Sequence, residues 1–287
     1  AAYGSDAVAG VVNFILNKKL QGFRVNAQAG ISQRGEDSDQ LIAAAAGTSF
    51  ADGRGHVIIG GEYNNNRGMG GCYDYDLCAQ EWQVLTNTGY RTNGQPARII
   101  SRDVRTATQT YAGKINAPTA LATIQFDDAG NPVPFVRGQY ATLFMQGGSG
   151  QGQNAFRSAG VLKVPVERYS LYGRTEYDLG AVTPFIDVSY GRVRVITPGA
   201  QTRDTNLTIF RDNPYLPASI VNQMTNLNAQ TLTFGRVGQD LGIAVGDNIT
   251  KTFRIVGGFD ADLGSGWKAD AYYQFGQTNT SQIVSNN

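Results

Sequence analysis

Two cysteines and a single histidine are the only soft or imidazole ligands the sequence offers. Cys72 and Cys78 form a C-x5-C pair within the stretch GCYDYDLCAQ. The spacing suits a local disulfide, which implies an oxidising compartment; two unpaired thiols are the alternative. Closing so short a loop is worth about 2–2.5 kcal/mol by chain entropy. A metal centre would need further ligands. His56 lies apart from the cysteines in the strand-like run HVIIGGEYNNN, where a side chain facing a lumen or loop accounts for it.

Other chemistry is sparse. GGSGQG (147–152) has the composition of a phosphate loop but lacks the G-K-[ST] ending, and a flexible loop explains it. The sequence has no G-x-S-x-G, and its acidic groups DYD (74–76) and DD (127–128) lack EF-hand spacing. The expectation is a protein that is not an enzyme, with no catalytic residue, cofactor or metal. Binding remains. The segment 67–166 is rich in Tyr, Asn, Gln, Gly and Arg, and Tyr73, Tyr75, Trp82 and Tyr140 are its candidate ligand-contacting aromatics, with Tyr90 and Tyr111 nearby. Aromatic faces beside amide groups suit a sugar-like or aromatic ligand.

Those residues need a scaffold, and composition narrows it. Charged residues make up 16% of the chain, below the roughly 25% of soluble domains. A net charge of +1 argues against a nucleic-acid surface. No apolar run approaches the ~20 residues of a membrane helix. What dominates is period two. Phe23, Val25, Ala27, Ala29 and Ile31 alternate with Arg24, Asn26 and Gln28. Tyr169, Leu171 and Tyr177 alternate with Arg168, Ser170, Arg174 and Glu176, and Phe253, Ile255 and Phe259 with Arg254 and Asp260.

About seven strands follow residue 21, each expected to run roughly 11–13 residues, long enough when tilted to cross a bilayer. Their connections segregate. Turns near 51–54, 180–182 and 264–266 are tiny, whereas 67–166 and 198–250 are very long, and the two kinds fall at opposite strand ends. Short turns on one side and long loops on the other are the pattern of an outer-membrane barrel. The fold class expected is therefore all-β, a partial transmembrane antiparallel β-barrel.

The opening AAYGSDAVAGVVNFILNKKLQGF resembles the end of the plug domain of TonB-dependent outer-membrane receptors, through Tyr3, Gly4, Ser5, Ala7, Gly10, Val11, Val12 and Asn13. FRDNPYLPASI (210–220) also looks like a barrel segment of that family. The resemblance implies that 1–19 is the C-terminal end of a plug. Residues 20–287 would then be the N-terminal part of the barrel, a fragment whose earlier plug and later strands lie elsewhere. It further implies a bacterial outer-membrane location and lipid and nutrient ligands. The expected partner is the TonB–ExbB–ExbD energy-coupling complex, engaged through the rest of the plug. Import of a siderophore, vitamin or oligosaccharide is the expected function. A passive pore or adhesin, or a soluble β-sandwich carbohydrate-binding module, are the alternatives. The disulfide reading predicts that Cys72 and Cys78 resist alkylation until reduced; mass spectrometry finding both modified without reductant would contradict it.

Overall fold

A computed structural model describes residues 16–71, 75, 82–140, 142–149 and 161–285. Among the described residues the fold is all-β with antiparallel sheets and one α-helix, and no helix there is long and apolar enough to cross a membrane. Contacts divide the chain into two compact units. One is built from the chain up to Asn66, Val166–Arg194 and Ile249–Ser281; the other from Arg67–Pro165, Val195–Asn248 and the chain from Gln282.

The first unit is built on a seven-stranded sheet of β1 Gly22–Ile31, β2 Ser38–Phe50, β3 Gly55–Asn66, β4 Val166–Tyr177, β5 Val182–Gln201, β6 Ile243–Gly264 and β7 Trp267–Ser285, with β5 beyond Arg194, β6 before Ile249 and β7 beyond Ser281 belonging to the second unit. Spatial order follows chain order from β1 to β7, and the sheet is open. All seven expected strands are present. Three differ in length: β5, β6 and β7 run 20, 22 and 19 residues, so the loop expected over 198–250 begins after Gln201 and ends before Ile243. The segment 210–220 is not a strand of this sheet. Phe210 ends a short strand, and Ala218–Asn226 forms helix α1 behind Pro217, which has no N–H for a ladder.

Register keeps the two faces apart. Across β1, β2, β3 and β4, Val25 pairs with Ala44, Ala44 with Gly61 and Gly61 with Leu171; Ile42 pairs with Tyr63 and Tyr63 with Tyr169. A one-residue slip would turn this apolar row to the opposite face. Ile42, Ile59, Leu171, Ile186, Ile255 and Phe259 stand exposed on it. Aromatics bound the band. At one edge Tyr63 and Tyr169 are cross-strand partners, and the Tyr169 and Tyr190 rings lie 6.1 Å apart. At the other, Phe50 and Tyr177 lie 6.2 Å apart, with Arg54 over Tyr177 at 5.4 Å. Tyr169 and Tyr177 are eight residues apart on β4, about 26 Å along the strand. Past the tyrosine edge the face turns charged, with Arg192 bonded to Glu167 at 2.8 Å.

The tight turns are built locally. Asp178 Oδ1 accepts the Gly180 amide at 2.7 Å, and Asp262 Oδ1 accepts the Gly264 amide at 3.0 Å. Gly180, at φ 98°, supplies the left-handed backbone that a side chain would resist.

In the second unit a five-stranded sheet has the order Pro132–Pro134, Ile124–Phe126, Lys114–Ala117, Thr231–Val237, Arg203–Phe210. Three strands come from the β3–β4 connection and two from the β5–β6 connection, so both excursions share one sheet. Helix α1 covers it: Ile115, Leu121, Ile220, Met224 and Leu232 are fully buried together. Asn116 Nδ2 ties the excursions further, donating to the carbonyls of Thr108 and Thr205 at 2.9 Å each.

Lys114 is buried in the central strand, donating to the Ile115 carbonyl at 2.9 Å and Asn116 Oδ1 at 3.2 Å, 4.5 Å above the Phe135 ring. Burial, aided by the charge of Arg137, lowers its pKa from 10.5 to about 8. The unfolded chain therefore holds more protons than the folded one between those values, and stability rises with pH across that window. Urea unfolding followed at Trp82 in a Trp267→Phe background should show this rise from pH 8 to 10.5. Lys114→Met should flatten it and raise stability at neutral pH.

Candidate ligand cleft and charged wall

The sheet face opposite the apolar band carries the charges that alternate with it along the strands. Arg174 on β4 is the hub. Its Nε and Nη2 donate to Glu176 Oε2 at 3.1 and 2.9 Å, its Nη1 donates to Asp187 Oδ1 at 2.8 Å, and its guanidinium lies 4.2 Å from the Phe185 ring centroid. Tyr172 donates to the same Asp187 at 3.3 Å. Arg174 is only 3% exposed, so the two carboxylates are what makes its charge tolerable there. Arg254 donates to Gln274 Oε1 from β6 to β7, and Glu62 pairs with Arg168 at 3.1 Å.

The segment before β1 reaches onto this face. Lys19 Nζ donates to Glu176 Oε1 at 2.6 Å, and Gln21 Nε2 donates to Ser49 Oγ. Leu20 is buried with its carbonyl against Gly47, where any Cβ would collide with it. Ser49 Oγ in turn lies 3.2 Å from Nδ1 of His56. The lone histidine is thus a buried member of this face.

The second unit contributes a cleft of about 230 Å³ lined by Phe126, Ile209, Leu216, Leu232 and Phe234, with Asn213 and Tyr215 also on its wall. Phe126 and Phe234 lie 5.8 Å apart and form an aromatic wall. Tyr215 is 93% exposed; a turn holds it, as Asn213 Oδ1 accepts its amide at 2.9 Å and the Asn213 carbonyl accepts that of Leu216 at 3.1 Å. Ala112 and Gly130 line this cleft and also a polar basin of about 490 Å³, which adds Tyr111, Asp127, Asp128, Arg236 and Asp240. Backbone and side-chain donors of Asn131 hold Asp127 ionised, lowering its pKa. The bond from Arg236 does the same for Asp240, at 2.6 Å. Arg236 also donates to the Tyr111 carbonyl at 3.2 Å.

Of the residues predicted to contact ligand, Trp82 stands exposed beside the hairpin Gln83–Thr86/Arg98–Ser101, with Arg102 4.9 Å over its ring. Tyr140 sits half-buried at φ 53° beside the Gln139–Gln146 bridge, and Tyr75 is half-buried in a bend. None of the three lines the cleft. Tyr73, Cys72 and Cys78 lie outside the described residues, as do Tyr3, Gly4, Ser5, Ala7, Gly10 and Asn13. The aromatics that do line the cleft and basin are Tyr111, Phe126, Tyr215 and Phe234. The legible signal for one wall was Pro217 ahead of ASIV, a helix-start pattern.

No family model, curated protein or solved structure matches the chain.

Removing the hub should cost far more than removing its outer partner. Arg174→Ala leaves Glu176 with Lys19 alone and Asp187 with Tyr172 alone, and should lower stability by about 3 kcal/mol. Lys19, 75% exposed, should cost about 1 kcal/mol or less as Lys19→Ala. Thermal unfolding followed by near-UV circular dichroism checks both.

Proposed function

We propose that the chain forms part of the wall of a TonB-dependent outer-membrane receptor, which imports a nutrient by energy-coupled rearrangement of a plug. The observation that carries this reading is the exposed apolar band of β1 to β6, bounded by aromatics about 26 Å apart along β4 and backed by a charged face. An aromatic-edged apolar face about 25 Å tall, with a polar opposite face, is what a bilayer selects in a barrel wall. In water the same band would be a large unsatisfied patch.

Connection lengths add support. Three tight turns close one set of strand ends, while both long excursions leave from the other set. The energy-coupled part rests on the resemblance of Tyr3–Asn13 to a plug end. It is supported by Lys19, Leu20 and Gln21, which fasten the chain just after it to the charged face. The proposal requires that the outer edges of β1 and β7 be paired in the bilayer, because each unmet backbone group there costs several kcal/mol.

Single cysteines in a Cys72→Ser/Cys78→Ser background of the full gene product test the topology. On intact cells a membrane-impermeant maleimide should label Tyr215→Cys. It should reach Ala181→Cys only after permeabilisation and leave Ile59→Cys unmodified until denaturation. Labelling of Ile59→Cys on intact cells would overturn the wall. Capture of the full gene product by the periplasmic domain of TonB checks the energy coupling, and failure of capture would leave a passive pore or adhesin.

A further inference from the structure

The second unit carries two adjoining clefts of opposite character, a slot and a basin, that share Ala112 and Gly130 in their linings. The slot is apolar: Leu232 is fully buried at it, and Phe126, Phe234, Ile209, Leu216 and Tyr215 line it. An apolar cavity of about 150 Å³ accommodates benzene; at about 230 Å³ the slot has room for a bicyclic ring or a branched alkyl group. Ala112 and Gly130, shared by slot and basin, place small residues where the two meet.

The basin sets the charge of what extends from the slot. Three carboxylates face one guanidinium there. Arg236 is already committed to Asp240 and the Tyr111 carbonyl. Asp127 spends acceptors on the amides of Ala129 and Asn131 but keeps its negative charge. Asp128 is exposed. An anion entering the basin would meet a net negative wall, whereas a cation would find carboxylates already ionised.

We propose that this pair of clefts binds an amphipathic cation, with an apolar ring or branched alkyl group in the slot and a protonated amine or guanidinium against Asp127 and Asp128. Tyr215 lines the apolar part with an exposed aromatic face, available to the ring of a ligand seated there. That such a ligand is cargo rests on the import reading; that it binds does not.

Tryptamine and indole-3-propionate share the ring and reverse the charge, so they separate slot from basin. Calorimetric titration of the full chain in detergent should show tryptamine binding about tenfold more tightly at low salt, with the gap shrinking as salt rises. Asp128→Asn should weaken tryptamine about threefold and leave indole-3-propionate unchanged or improved. Tyr215→Ala should weaken both about fivefold; both side chains are exposed, so neither change removes a buried contact. Equal affinity for the two probes, no binding of tryptamine, or binding indifferent to both variants would overturn the proposal. Binding without uptake by cells would leave the cleft standing and count against import.

Discussion

Every strand of the seven-stranded sheet must present one apolar and one charged face, and the backbone ladder is what lets it do so. Once Ile42 lies opposite Tyr63 and Tyr63 opposite Tyr169, every second residue of three strands is assigned to the same side. The opposite side then receives Arg174, Glu176 and Asp187, which pair with one another, and Glu62, which pairs with Arg168. Neither face could exist without the other: loss of register would bring Arg174 and Glu176 to the apolar face and carry Leu171 to the charged one.

The charged face is also where the chain before β1 is held. A lysine reaches a carboxylate already shared with a buried arginine, and a leucine carbonyl rests where Gly47 has no side chain. The lysine contact joins the approach to β1 with a strand more than a hundred residues later, and the leucine contact joins it with β2. In the proposed receptor, any pull on the segment before Asn17 would meet this fastening before it reached the sheet.

Much of the seven-stranded sheet was legible because alternation over ten or more residues has no other economical explanation. The row from Phe23 to Ile31 and the row from Tyr169 to Tyr177 both kept the faces expected of them. The extra length of β5 and β6 was not legible, because Pro198-Gly199 and GDN (246–248) read as breaks and the strands run through both. The cleft was still less accessible. Ala112 and Phe126 come from one excursion and Tyr215 and Phe234 from the other, and no periodicity links them. Tyr-rich composition drew attention to Trp82 and Tyr140, but composition carries no information about which aromatics a shared sheet brings together. Arg174 fell on the same face as Glu176, two residues along the same strand, yet its second carboxylate partner, Asp187, depends on the pairing of β4 with β5.

The strand Lys114–Ala117 has Thr231–Val237 as its neighbour, and the two are separated by more than a hundred residues of chain. During synthesis the earlier strand is complete long before its partner exists. Its backbone donors and acceptors, and the underside of Ile115, must wait for β4 and β5 to be made and for α1 to emerge. This makes the second unit a late assembler, and gives the cell an interval in which a half-built, sticky sheet has to be kept from joining its neighbours.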